Sequence, residues 1–161
     1  MQGISLRREE FYRRISKVLL EEVGDILRGV IVFGSSVYFA LARDVDLIVI
    51  VNGNLDLKKK MKLELKLSKR LRKSFDNIFF DVHVMDFDMF KENLVPGSFL
   101  HGLALGYEII YGNGEINELI LNFLKNVSSE KYVIHGKHGS WNLAFHARLT
   151  YKRKHSLQRM E

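Results

Sequence analysis

The sequence predicts an α+β fold of two layers: a mixed central β-sheet of about four strands with helices on one face, followed by a helical C-terminal extension. Three observations lead there. Four short apolar runs rich in Val, Ile, Phe and Tyr are each closed by a turn signal. Longer stretches with apolar residues at helical spacing lie between and around them. The order is helix, strand, strand, helix, strand, helix, strand, then a helical tail, an order that packs naturally as a sheet covered by helices.

Each element has its own signal. From Ser5 to Val23, Phe11, Ile15, Val18, Leu19 and Val23 recur at helical spacing, and Gly24 is a stop. Val30-Ile31-Val32-Phe33 is brief, β-branched and closed by Gly34-Ser35-Ser36, which marks a buried strand. Val45 to Val51 is a second strand ending at Asn52-Gly53-Asn54. Leu57 to Phe75 carries two four-spaced apolar rows, Leu57-Met61-Leu65 and Leu63-Leu67-Leu71-Phe75, and no β-branched residue; helix wins there over the strand alternation of Met61 to Leu67. Ile78 to Asp86 is the third strand. Pro96-Gly97-Ser98 is a break, with Ser98 as N-cap of a short helix to Gly106. Tyr107 to Tyr111 is the fourth strand, before Gly112-Asn113-Gly114. A helix from Glu115 to about Lys125 and another from about Ser140 make up the tail, so that residues 1–113 form the domain and 114–161 a basic helical extension.

Composition narrows the function classes. The 161 residues suit one domain of ordinary size, with 47% hydrophobic and 27% charged residues. No apolar run reaches the roughly 18–20 residues that span a bilayer. Arg7, Arg8 and Glu9 stand close behind the start in place of an apolar signal segment. Cysteine is absent, which excludes disulfides and Cys-ligated zinc, and a cytoplasmic location is expected. The net charge is +6, concentrated in nine Lys or Arg against Glu64 between Leu57 and Phe75, and in Arg148, Lys152, Arg153, Lys154 and Arg159. Such a balance suits polyanionic partners such as nucleotide or RNA, or else a solvated helix face.

The chemistry is carried by acids where acids are unexpected. Asp44 and Asp46 open an otherwise apolar strand and, two residues apart, point to the same face. Two such carboxylates repel each other and resist burial without a cation between them. Carboxylate oxygens are hard ligands, suited to Mg²⁺ or Mn²⁺. Asp81 interrupts the apolar run Ile78 to Val84. If that strand lies beside the second, the three acids can hold metal for an in-line phosphoryl displacement. Gly34-Ser35-Ser36 offers small residues and hydroxyls to phosphate at the end of the first strand. Each feature alone has an ordinary explanation, as a turn, a cap or an ion pair. Together, on these elements, they favour a site.

Phe33-Gly34-Ser35, Asp44-Val45-Asp46-Leu47 and the later Asp81 resemble the signature of the polymerase-β-like nucleotidyltransferase superfamily, and within it the minimal and kanamycin-nucleotidyltransferase-type members. The resemblance covers roughly residues 26–113 and extends to Gly106-Tyr107-Glu108-Ile109-Ile110-Tyr111-Gly112 as a closing strand. It implies that Gly34 and Ser35 hold the triphosphate, that Asp44 and Asp46 bind metal, and that Asp81 completes the site and helps deprotonate an acceptor hydroxyl. Where family members often carry Arg and Gly after the Gly-Ser pair and a longer loop, this chain has the short apolar Ser36 to Arg43. Arg43 either contacts phosphate or pairs with a neighbouring acid.

The implied activity is transfer of a nucleoside monophosphate from an NTP, ATP foremost, to an acceptor hydroxyl of unknown identity. Two alternatives stand beside it: a nucleotide-binding, antitoxin-like subunit with little or no turnover and a helical HEPN-type partner, and a basic RNA-binding module. A dimer is compatible with either. His83 shares a strand face with Asp81 and is read as a hydrogen-bonded structural imidazole. Trp141, Phe145 and Tyr151 are read as packing on the domain rather than stacking on bases.

Overall fold

A computed structural model describes residues 2–38, 44–129, 133–136 and 139–160. Helix α1 spans Gln2–Val23, and strand β1 spans Leu27–Phe33. A 3-10 turn follows at Gly34–Val37, then β2 at Asp44–Val51. Helix α2 (Leu57–Ser74) leads to β3 (Phe79–Asp86) and α3 (Phe87–Asn93). A 3-10 stretch at Phe99–Leu105 enters β4 (Tyr107–Tyr111). The tail comprises α4 (Gly114–Ser129), strands β5 (Val133–Gly136) and β6 (Gly139–Asn142), and α5 (Leu143–Gln158). Ser98 caps the 3-10 stretch, its side chain accepting the Leu100 amide. No described helix is long and apolar enough to cross a membrane.

The sheet is four-stranded and mixed, as expected, in the order β3-β2-β1-β4. β1 pairs antiparallel with β2 and β4, while β2 and β3 run parallel through the α2 crossover. The helices, expected on one face, cover both. Val30, Val32, Leu47, Val49, Val82 and Val84 point into a core closed by α1 and α2. Ile31, Phe33, Ile48, Ile50 and Met85 point the other way, into a second core closed by α3, the 3-10 stretch, α4 and α5. The physical reason stands in β2: Val45 and Leu47 to Val51 are apolar and buried on both sides, which one layer of helices could not achieve.

Two further elements depart from the expected order. Helix α3 follows β3 directly, because the Asp86 carboxylate caps it by accepting the Met89 amide at 2.8 Å. The same buried carboxylate accepts the Leu55 amide at 3.1 Å and so ties the loop after β2 to the end of β3. Asp86→Ala is expected to cost about 2–3 kcal/mol, since two amides lose a charged acceptor. A urea midpoint within error of wild type would show that water replaces both bonds. The antiparallel pair β5–β6, with His135 beside Ser140 at 2.7 Å, stands where the tail was expected to be only polar.

The tail helices share the second core. Ile116, Ile120 and Leu124 of α4 and Leu143 and Ala147 of α5 pack with the sheet. Thr150 donates from its buried hydroxyl to the Ala104 carbonyl at 2.7 Å. Tyr151 packs against this core as expected; Phe145 does not and is half exposed. The side chain of Trp141 lies outside the described residues.

Candidate active site at the open end of the sheet

Three rules of strand geometry bring the acids together. In β2, Asp44 and Asp46 alternate with buried Val45 and Leu47 and share the face of Ile48 and Ile50. In β3, Asp81 shares the face of His83 and Met85. Parallel pairing then sets Asp46 opposite Asp81, on strands about 4.8 Å apart, and Asp44 opposite Phe79. The far end of this face lies under helices, whereas Asp44, Phe79 and Asp81 are exposed, so the acids line an open end. A third strand joins them: β1 runs against β2, with Phe33 opposite Asp46, and delivers Gly34 to the same place.

Gly34 sits at φ +75°, a conformation that side chains disfavour. A Cβ built there would lie 2.9 Å from Asp46 Oδ2. Glycine therefore lets the chain turn and lets the carboxylate lie against the backbone. The Gly34 amide donates to the Gly106 carbonyl at 3.2 Å, fixing the turn to the start of β4. Ser36 is buried and its hydroxyl donates to the Phe33 carbonyl at 3.2 Å, so that proton serves the turn. Ser35 lies in the same turn; its side chain and Arg43 fall outside the described residues.

The electrostatics are those of crowded anions. Burial raises the carboxyl of Asp46 above the usual carboxylate range, and the neighbouring Asp81 and Asp44 raise it further; His83 acts in the opposite direction. His83 Nε2 lies 3.4 Å from Asp81 Oδ2. Its ring neighbours those of Phe33 and Phe99, with centroids 6.3 and 4.9 Å away. His83 thus lies beside Asp81 on the same face of β3, among aromatic rings. Phe99 and the Gly106 carbonyl were not singled out from sequence, because neither carries a chemical signature; only Gly106, at a helix end, marked the spot.

Among the described residues no group of three or more His, Cys, Asp or Glu side chains is placed to hold a metal ion. By ligand type, the carboxylates of Asp44, Asp46 and Asp81 suit a hard divalent cation. Asp46 and Asp81 stand opposite each other on adjacent strands, and a cation beside Asp46 would offset its burial and the nearby carboxylates, which together raise it.

No protein-family model matches the chain, and no curated protein matches it by sequence. Among solved structures, the chain is similar to one of the tri-AMPylated Shewanella oneidensis HEPN toxin in complex with MNT antitoxin. The identity is 16% and the TM-score 0.43, over 94% of this chain and 93% of that one. A toxin–antitoxin structure with AMP-PNP matches at 16% identity and a TM-score of 0.44, over 92% and 93% of the two chains. The spectinomycin adenyltransferase of Enterococcus faecialis, solved with ATP and spectinomycin, matches at 14% and 0.42, over 76% of this chain and 67% of that one. The resemblance to the polymerase-β-like nucleotidyltransferases rests on the chain itself, in which Gly34-Ser35, Asp44, Asp46 and Asp81 stand in the family's order at one end of a mixed sheet.

Proposed function

We propose that the chain is a metal-dependent nucleotidyltransferase, which moves a nucleoside monophosphate from an NTP to an acceptor hydroxyl and releases pyrophosphate. The observation that carries this reading is the register of Asp46 with Asp81, on adjacent parallel strands, beside the turn at Gly34. Among the described residues no Lys or Arg is one of the groups that shift Asp46, which supports a role beyond an ion pair for the two acids placed side by side.

Asp44, Asp46 and Asp81 would hold Mg²⁺ or Mn²⁺, which when bound neutralises the triphosphate and polarises the attacked phosphoryl group. The turn Gly34-Ser35-Ser36 orients the phosphates by close backbone approach, because Gly34 carries no side chain to keep them away. Asp81, exposed at the rim, takes the proton of the acceptor hydroxyl as its oxygen bonds to the α-phosphorus. The bond from that phosphorus to the bridging oxygen breaks, and pyrophosphate leaves with the electron pair. His83 holds the Asp81 carboxylate toward the site. In this reading residues 1–113 perform the chemistry, and the tail from residue 114 contributes to acceptor recognition.

Calorimetric titration with ATP tests the reading. Wild type is expected to bind ATP only with Mg²⁺ present, and Asp44→Asn and Asp81→Asn to bind at least about tenfold more weakly with the fold intact. Equal affinity in the variants, or equal affinity without metal, overturns it.

A further inference from the structure

Helix α2 carries two apolar rows, and the sheet uses one. Leu67, Leu71 and Phe75 are buried against β2 and β3. The other row, Leu57-Met61-Leu65, repeats every four residues on the outside of the helix, at 72%, 60% and 58% exposure. At 100° per residue these three side chains span about 80° of the helix surface, a narrow straight ridge. Toward the C-terminal end of α2 the Arg72 guanidinium lies 4.4 Å over the ring of exposed Phe79, at the start of β3. Beside it runs β3, an edge strand whose Val84 amide is capped by the Glu64 carboxylate at 3.0 Å. That cap blocks addition of another strand at this point and leaves the helix ridge as the feature a partner could grip.

The charges around the ridge are divided. Lys60 is paired with Glu64, and Lys66 and Arg70 with Glu22, which takes them into the packing of α1 and α2. Lys58, Lys62 and Lys69, which line one flank of the ridge, have no ion pair among the described residues. An exposed apolar ridge costs solubility, and free lysines along its flank suit a partner with carboxylates at matching positions.

We infer that this face of α2 docks an acidic amphipathic helix of another protein. The i, i+4, i+8 spacing of the ridge matches the ridges-into-grooves packing of one helix laid along another. The flanking lysines then meet Glu or Asp on the edge of the incoming apolar stripe. A second copy of this chain fits poorly, since it would bring the same lysines against one another. A bilayer surface fits poorly too, because the apolar stripe is narrow and one flank of it is Glu64 engaged in hydrogen bonds. The surface lies on the covered face of the sheet opposite Asp46 and is independent of the proposed chemistry.

The test uses a labelled 21-residue helical peptide, with Leu in one four-spaced row and Glu on both flanks, followed by fluorescence anisotropy against the full chain. Binding is expected with Kd in the range of tens of micromolar, weakening about tenfold between low and high salt. Met61→Ser with Leu65→Ser, both at exposed positions, is expected to weaken binding at least tenfold. Lys58→Glu with Lys62→Glu is expected to do the same, and Asp46→Asn to leave it unchanged. The inference is overturned if the same peptide with Lys for Glu binds as well, or if the Met61→Ser, Leu65→Ser chain binds like wild type. It is equally overturned if the face instead binds vesicles of phosphatidylserine and phosphatidylcholine, or forms a dimer of the chain that those substitutions abolish.

Discussion

Asp46→Asn is expected to lower nucleotide transfer by on the order of a thousandfold while making the apo protein slightly more stable at neutral pH. Both effects come from one fact: Asp46 is the half-buried member of the acidic group, and burial raises its carboxyl, with Asp81 and Asp44 adding to the shift. The folded protein therefore holds this proton more tightly than the unfolded chain does. The stabilisation linked to it is full below the unfolded carboxylate range and is lost as pH rises through the raised folded value. At neutral pH the ionised group opposes folding, and asparagine removes that opposition. After allowing for solvent screening of a half-exposed group, the gain is about 0.5 kcal/mol, or roughly 1–2 °C in Tm. The difference between wild type and variant should shrink as pH falls toward the acid range. Adding Mg²⁺ and ATP should reverse the order, raising the Tm of wild type alone. A variant that loses stability at neutral pH, or keeps its turnover, would show that Asp46 is a structural acid.

Gly34→Ala should damage both the fold and the site. An L residue at φ +75° costs roughly 1–2 kcal/mol, and the added methyl would meet the Asp46 carboxylate at 2.9 Å. The Asp46 backbone is held by pairing on both sides of β2, so it is the carboxylate at the end of the side chain that swings aside. The expected total is about 2–3 kcal/mol of stability, with turnover reduced at least tenfold as the carboxylate is displaced. Gly53→Ala is the control: its φ is +97°, but the space around it is open, so it should bear the backbone strain with turnover unchanged. If Gly34→Ala matches Gly53→Ala in both stability and turnover, close approach at Gly34 has no part in the chemistry.

The acids were readable because they break a local rule. Asp44 and Asp46 stand in a strand whose other residues are buried and apolar, and Asp81 stands in one that is mostly apolar, so each draws attention without any knowledge of the fold. Alternation also gave His83 the same face as Asp81, and the 3.4 Å contact bears that out. Helix α3 was harder to see. Its seven residues are shorter than any periodic signal, and its capping acid, Asp86, reads equally well as the end of a strand.

What the chain determined alone was the kind of each element and the positions of its anomalous acids, since propensity, alternation and turn chemistry act within a few residues. Which residues met across the sheet was decided only by tertiary structure. Asp46 stands opposite Asp81 because α2 carries the chain back to run β3 parallel to β2, and no local pattern encodes that register. The choice between the two apolar rows of α2 is of the same kind: both are apolar in sequence, and the sheet, by covering Leu67 and Leu71, left Met61 and Leu65 in water.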